Sequence, residues 1–247
     1  MKKKQYLKPA IQEAIFEARF SIDNYDSTIP GQIYNLIKKE YPQKADIYPS
    51  PFFVIQRGQN QKAQIPIFQA KNIAETELVQ IGAGIVTANH IKYVSWEQFS
   101  KTIEKILGAY VETAHPELIQ RIGVRYINNF YITEESFNLN DYFNLGLVLP
   151  ESLRDLQGFD LTVLNAPDKK YSPFNIQSRT RFFTDSLRTA EVGSRFIVDI
   201  DCFIENTPEM QNQDILKRAE EAHDYLEFIF ESIITDKTRQ LMGIIND

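Results

Sequence analysis

The side chains best suited to chemistry in this sequence are charged and polar groups spaced two or four residues apart within predicted strands. Successive side chains of a strand point to opposite faces, so residues at every second position share one face. The polar side chains grouped in this way are Arg121, Arg125 and Asn129; Arg179 and Arg181; Asp199 and Asp201; and Glu13 and Glu17. If the four strands belong to one sheet, the face opposite its apolar core is rich in arginine and carboxylate.

Three interpretations of that polar face are open. Opposite charges across neighbouring strands contribute roughly 0.2–1 kcal/mol per pair, so the groups could simply pair with one another. Arginine forks bind phosphate and carboxylate in bidentate fashion, so the four arginines could instead hold a small anionic ligand. The two aspartates, with Glu13 or Glu17, could hold a hard divalent cation, although two aspartates at i and i+2 are a weak metal signal. Mutual pairing is the commonest of these outcomes, and we expect it.

Sequence patterns typical of catalysis are missing. The chain has no Gly-x-Ser-x-Gly nucleophile elbow and no phosphate-binding P-loop, and its Gly-x-Gly near residue 82 lacks the third glycine of a dinucleotide site. His90, His115 and His223 do not have zinc-ligand spacing, and we expect His223 to pack on a helix surface. Cys202 falls on the apolar side of a strand, which predicts an inert buried thiol. We therefore expect no catalytic residues, no metal and no cofactor.

The elements that must position the polar face come in a repeated order. Alternating residues predict a strand over 11–22, helical spacing predicts a helix over 29–41, and strands follow at 52–57, 64–69 and 78–87. Ser95 and Gln98 form a capping box before a second helix, whose apolar stripe is Phe99, Ile103, Ile106, Leu107 and Tyr110.

A second series of elements repeats that order. Strands are predicted at 118–132, 159–164, 176–187 and 194–204, with a helical turn near 139–145. Thr207, Pro208 and Glu209 resemble a helix N-terminus, and two helical segments close the chain, the second at 237–245. The fold class is therefore α+β, an antiparallel sheet with helices on one face. The two tandem strand–helix–strands–helix halves, 1–115 and 116–247, are expected to form one integrated domain.

Composition and charge exclude further classes of function. The 247 residues carry 27 basic and 33 acidic groups, with 14 basic and 11 acidic before residue 116 and 13 and 22 after it. The only basic cluster is Lys2 to Lys4 with Lys8, which argues against nucleic-acid binding. No apolar run approaches the ~20 residues that span a bilayer, and no signal peptide is recognisable. One cysteine and no signal peptide lead us to expect a cytoplasmic protein.

Four segments together resemble a bacterial protein family. They are LKPAIQEAIFEARF (Leu7–Phe20), RIGVRYIN (Arg121–Asn128), DIDCF (Asp199–Phe203) and FESIITDKTR (Phe230–Arg239). The family they resemble is a sporadically distributed one of uncharacterised proteins about 250 residues long. The resemblance implies a cytoplasmic protein with patchy occurrence, of the kind associated with mobile or defence genes. It provides no reaction and no catalytic residues.

Our hypothesis from the sequence is a non-enzymatic binding protein that holds a protein partner on its sheet face or edge. The absence of a catalytic pattern and the acidic second half motivate it. The alternative is an enzyme or sensor that binds a small anionic or phosphorylated ligand through the arginines, with Asp199 and Asp201 as acid–base groups or metal ligands. Self-association through sheet edges or the last helices is compatible with both.

Overall fold

The computed structural model describes residues 4–22, 26–47, 67–134, 137–146, 158–165, 174–184, 194–205 and 210–245. The strands are β1 Ile11–Ser21, β2 Gln43–Ile47, β3 Ile67–Lys71, β4 Glu77–Gly82, β5 Ile85–His90, β6 Leu118–Ile132, β7 Gly158–Asn165, β8 Asn175–Thr184 and β9 Ser194–Glu205. The helices are α1 Ile29–Ile37, α2 Trp96–Ala114, α3 Leu139–Tyr142, α4 Ile215–Ile233 and α5 Asp236–Met242, with a 3-10 turn at Asn212–Asp214 before α4.

The strands form one sheet in the order β2-β3-β4-β5-β1-β6-β9-β8-β7. Strand β1 runs antiparallel to β5, with Ala14 opposite His90, and β7 runs antiparallel to β8, with Gly158 opposite Phe183. In each predicted half, the first strand lies beside the last strand. The α+β prediction, an antiparallel sheet with helices on one face, is confirmed.

The chain divides into two compact units that are interleaved in sequence. The first unit takes residues from 1–13, 125–202 and 221–247, and the second takes residues from 14–124 and 203–220. Strands β1, β6 and β9 each contribute residues to both units. Each unit therefore contains residues from both tandem halves, and the boundary between the units does not coincide with residue 115.

The core of the second unit lies where β1 faces α2. The even-numbered residues Ala14, Phe16, Ala18 and Phe20 of β1 are buried, and so is the whole predicted stripe of α2 from Phe99 to Tyr110. The Phe20 and Tyr110 rings stack with centroids 5.4 Å apart. Ser95 caps α2 by accepting from the Gln98 backbone N–H, as its capping box predicts. The helix ends at His115, whose left-handed backbone precedes Pro116.

The core of the first unit uses the same alternation. Even-numbered residues of β6 and β9 are buried, among them Tyr126, Phe130, Phe196 and Val198. Helix α4 buries Ala222, Tyr225 and Leu226 in the same unit. Cys202 is fully buried on the apolar side of β9, so the prediction of a buried thiol is confirmed.

Several local predictions differ from the structure. The run 78–87 is two strands, because Gly84 with φ +69° turns the chain between β4 and β5. Strand β2 was not predicted, since its residues are mostly exposed and show no apolar alternation. Helix α1 ends at Ile37 and not at residue 41 as predicted. Leu36, within the helix, is 61% exposed, and Tyr41, beyond its end, is buried.

Other boundaries also move. Strand β3 extends past the predicted 64–69 to Lys71, and β8 begins at Asn175, one residue before the predicted 176–187. Residues 64–66 and 185–187 of those predictions lie outside the described residues. The predicted strand 52–57 and the predicted cap Thr207-Pro208-Glu209 lie outside the described residues. Helix α4 begins at Ile215, where the 3-10 turn after Gln211 forms a capping box with Asp214.

The Gly84 turn provides a stability test. A Cβ at residue 84 would lie 2.4 Å from the Phe20 carbonyl oxygen, and the positive φ adds strain. We expect Gly84→Ala to lower the free energy of unfolding by about 1–3 kcal/mol. Gly108→Ala is the matched control, because Gly108 lies inside α2 with open space around it and alanine there adds about 0.5–1 kcal/mol. Urea unfolding of both variants measures the difference, and equal effects would contradict the assigned turn.

Candidate functional site

The centre of the polar face in the first unit is an ion pair between β6 and β9. Arg125 donates from Nε to Asp199 Oδ1 at 2.7 Å and from Nη2 to Asp199 Oδ2 at 2.5 Å. This is the bidentate geometry in which an arginine fork binds a carboxylate most strongly. The Asp199 side chain is 6% exposed and that of Arg125 is 40% exposed. The pair therefore closes off both oxygens of Asp199 and leaves one edge of the guanidinium facing water.

Two further carboxylates act on Arg125 through their charge. The hydrogen bond to Asp199 raises the pKa of Arg125 above its usual value against the effect of burial, and the charges of Asp199, Asp201 and Glu13 act in the same direction. Among the described residues, three carboxylates therefore act on this one guanidinium. The surroundings of Arg125 are acidic, and they oppose the approach of an anion.

A second cluster on the same strands joins Asn129, Arg195 and Tyr131. Arg195 donates from Nε to Asn129 Oδ1 at 3.0 Å, and its guanidinium carbon lies 6.0 Å from the centre of the Tyr131 ring. Tyr131 is 51% exposed. Arg195 and Tyr131 were missed as site residues, although the two-residue spacing that selected Asn129 and Asp199 also selects them.

In the second unit, Arg121 forms a separate cluster. Its Nη1 donates to Glu17 Oε1 at 3.1 Å, its Nε lies 3.7 Å from Glu205 Oε1, and its guanidinium stacks 4.4 Å from the centre of the Phe203 ring. The side chain folds back over Gly123, where a Cβ would come within 2.3 Å of Nη1. Glu17 also accepts from Arg19 Nε at 2.9 Å. Glu17 and Arg121 therefore belong to one ion-paired cluster in this unit.

The structure describes Arg179 and Arg181 only through their backbone. They lie on β8 opposite Thr162 and Asp160 of β7. Their side chains lie outside the described part of the chain, so their predicted role in an anion site stays a prediction.

The carboxylates proposed from the sequence as metal ligands do not form a ligand set among the described residues. One group there has ligand atoms within 4.8 Å of one another, namely His223, Asp224 and Glu227 of α4. His223 is buried, which differs from the expected place on a helix surface. Its Nδ1 lies 2.6 Å from the Tyr126 hydroxyl and its Nε2 lies 3.3 Å from Glu227 Oε1. The Nδ1 contact thus joins α4 to β6, and the Nε2 contact lies within α4.

Polar side chains of the segment FESIITDKTR form hydrogen bonds at the junction between α4 and α5. Glu231 accepts from Tyr6 and from Arg239 Nε, and Arg239 also donates to Asp236. Thr235 caps α5, and the buried Thr238 hydroxyl donates to the Tyr142 carbonyl oxygen. These contacts account for the polar residues of the segment without a ligand.

Comparison with known proteins leaves the family open. No family model matches this chain, and no curated protein matches it. Within the described residues, no helix has the length and apolar character required to cross a bilayer.

The chemistry available on the polar face follows from its pairing. In the first unit Arg125 directs two donors at Asp199, and Asp199 uses both oxygens for Arg125. A small anion would have to displace a carboxylate that is already desolvated and aligned, at a cost of several kcal/mol. The face is thus a preformed polar surface with an exposed tyrosine beside it.

Removing Arg125 tests how much the fold depends on the central pair. Arg125→Met removes the bidentate ion pair of a buried carboxylate, so we expect the free energy of unfolding to fall by about 1.5–3 kcal/mol. Adding Asp199→Leu should restore part of that loss, because the buried charge that Arg125 compensated is then gone. Arg19→Gln is the control: the Arg19 side chain is half exposed, and its loss should change stability by less than about 0.5 kcal/mol. Additive effects of the two core substitutions would contradict the pairing.

A buried histidine in the second unit makes stability depend on pH. His90 Nε2 lies 2.9 Å from Thr102 Oγ1 and 3.8 Å from Glu77 Oε2, and its ring packs on Phe99. Burial lowers the pKa of His90 below its usual 6.5, and the charge of Glu77 opposes the shift. Tyr41 donates to Glu77 at 2.6 Å, and burial raises the pKa of that hydroxyl.

The unfolded chain therefore binds a proton at His90 more readily than the folded chain does. Stability from this residue is complete above about pH 6.5 and declines as the pH falls below that value. We expect the unfolding free energy of the wild-type protein to fall more steeply from pH 7.5 to about 5.5 than that of His90→Gln. The other two histidines are common to both proteins, so the difference in slope isolates His90. Equal slopes would contradict burial of a neutral imidazole.

Proposed function

We propose that this chain is a non-enzymatic binding protein that holds a protein partner on the polar face of its first unit. That face is formed by Arg125, Asn129, Tyr131, Arg195, Asp199 and Asp201. The observation that carries the proposal is the bidentate pairing of Arg125 with Asp199, which removes the cationic fork that a small anion needs. What is left is an ordered polar surface, whose natural ligand is another large surface.

The exposed residues of the face support a protein partner. Tyrosine and arginine are the residue types most enriched among those that carry binding energy in protein interfaces. Tyr131 is half exposed, and Arg195 is held beside it by its hydrogen bond to Asn129. Because Arg195 is already oriented, less conformational entropy is lost when a partner binds.

The chemistry of the partner follows from the local charge. Arg125 lies among Asp199, Asp201 and Glu13, so this part of the face favours a basic group over an acidic one. A protein encoded beside this chain is the first candidate to examine, in line with the association with mobile or defence genes that the sequence resemblance implies. The alternative, an enzyme or sensor of phosphorylated ligands, is weaker because two of its four arginines, Arg121 and Arg125, already pair with carboxylates.

Gentle purification of the tagged protein from its own host, followed by native mass spectrometry, tests the proposal. We expect the wild-type chain to retain a second protein. Arg195→Glu and Tyr131→Ala should each reduce its occupancy about tenfold or more, since they remove the exposed contacts of the face. Lys39→Glu and Ile73→Ala are matched controls, because both residues are exposed in the second unit and lie far from this face in sequence.

Two outcomes would contradict the proposal. A partner retained equally by the face variants and the controls would exclude the face as its binding site. A bare 28.7 kDa monomer whose melting temperature rises with phosphate compounds would favour the small-ligand alternative, because only binding to the folded state stabilises it.

A further inference from the structure

A groove in the second unit, apart from the polar face, has the composition of a cation site. It lies between the first turns of α2 and α4 and encloses about 300 Å³. The residues that line it are Trp96, Ser100, Ile103 and Glu104 of α2, and Leu216, Lys217, Ala219 and Glu220 of α4. Both sets recur at intervals of three to four residues, so each lies on one face of its helix.

The groove is apolar at its floor and charged at its rim. Ile103 and Ala219 are fully buried, and Trp96 and Leu216 are half buried above them. Glu104, Lys217 and Glu220 are exposed. A guest that fits must therefore combine an aliphatic or planar body with a charged end near the rim.

The rim carboxylates differ from those of the polar face because they have no ion-pair partner among the residues that the structure describes. Within the described residues, neither Glu104 nor Glu220 forms an ion pair, and Lys217 on the same rim forms none either. Two negative charges against one positive charge give the rim a net negative charge. The indole of Trp96 adds to this, because an aromatic face attracts a cation.

The helix N-termini beside the groove do not make it attract anions. The partial positive charge at the start of a helix acts mainly within the first turn. At α2 the Ser95 cap and the negative charge of Glu97 offset this partial charge. At the start of α4, Asp214 in the capping box offsets it. The groove therefore attracts cations rather than anions.

We propose that this groove binds an arginine or lysine side chain from a basic segment of another protein. Its volume lies at the lower end of the roughly 300–1,000 Å³ typical of ligand pockets, which suits one side chain better than a nucleotide. The aliphatic stem packs on Ile103 and Leu216, the cationic end lies against Trp96, and Glu104 and Glu220 pair with it. The site is independent of the polar face, so the failure of either proposal leaves the other standing.

The single tryptophan of the chain makes the test direct. Trp96 is the only tryptophan in the sequence, so its fluorescence reports on this groove. The probe is an acetylated and amidated Gly-Arg-Gly-Arg-Gly peptide, titrated at low ionic strength into the full chain. We expect a saturable change in emission with half-saturation at or below about 1 mM, and no change with the peptide that has glutamate in place of arginine.

Charge variants of the rim supply the decisive comparison. Glu104→Gln and Glu220→Gln should each raise the half-saturation concentration about two- to fivefold, as expected for exposed ion pairs. Lys217→Gln should lower it, because a competing cation is removed. Glu112→Gln is the matched control, since Glu112 is exposed on α2 but does not line the groove, and it should leave the titration unchanged.

Three results would overturn the proposal. The first is no saturable response to the basic peptide, or a response that Glu112→Gln weakens as much as the two rim variants do. The second is saturation by the acidic peptide together with weaker binding in Lys217→Gln, which would make this an anion site. The third is emission that changes with the concentration of the protein alone, which would mean that a second copy of the chain occupies the groove.

Discussion

Burial of the even-numbered side chains along β1, β6 and β9 is the constraint on which the rest of the structure depends. The strand pleat sends neighbouring side chains to opposite faces, so burying one set commits the other set to the opposite face. On β6 and β9 that opposite set contains Arg125 and Asp199. Asp199 is itself buried, and a buried carboxylate is stable only when it is paired. The bidentate contact with Arg125 is therefore a consequence of how the core is built.

The two surfaces that we propose as binding sites differ in whether their charged groups form ion pairs. On the polar face Arg125 and Asp199 pair with each other, which favours a broad contact with a partner and disfavours capture of a small ion. In the groove between α2 and α4, Glu104 and Glu220 form no ion pair in the described part of the chain, and a half-buried Trp96 lies beside them. The same residue types thus serve different purposes, because one set is desolvated and aligned while the other is left in water.

The helices are held by buried polar contacts as well as by apolar packing. The Tyr126 hydroxyl meets His223, and Glu231 receives both Tyr6 and Arg239. Such contacts orient each helix because an unpartnered polar group in the core costs more than a paired one gains. They also explain why the segments Arg121–Asn128 and Phe230–Arg239 are rich in polar residues: many of those side chains complete the fold itself.

The sequence by itself determined which faces of the long elements are buried. The α2 stripe, the alternation of β6 and the buried position of Cys202 all follow from periodicity, and the α+β class follows from the order of the elements. Periodicity is a local property, since it depends only on the backbone geometry of one element. Periodicity did not predict β2, because the exposed residues of that strand do not alternate. It also did not predict the turn at Gly84, which lies inside an apolar run.

The tertiary structure alone decided which charged groups meet. Spacing placed Arg121, Arg125, Asp199 and Glu17 on polar faces, but it could not pair Arg125 with Asp199 and Arg121 with Glu17. Those partners depend on strand order and register, which are set by packing between residues far apart in the chain. Arg195 gained its role in the same way, by donating a hydrogen bond to Asn129. The groove between α2 and α4 has no signature in either helix, because it exists only where two distant segments come together.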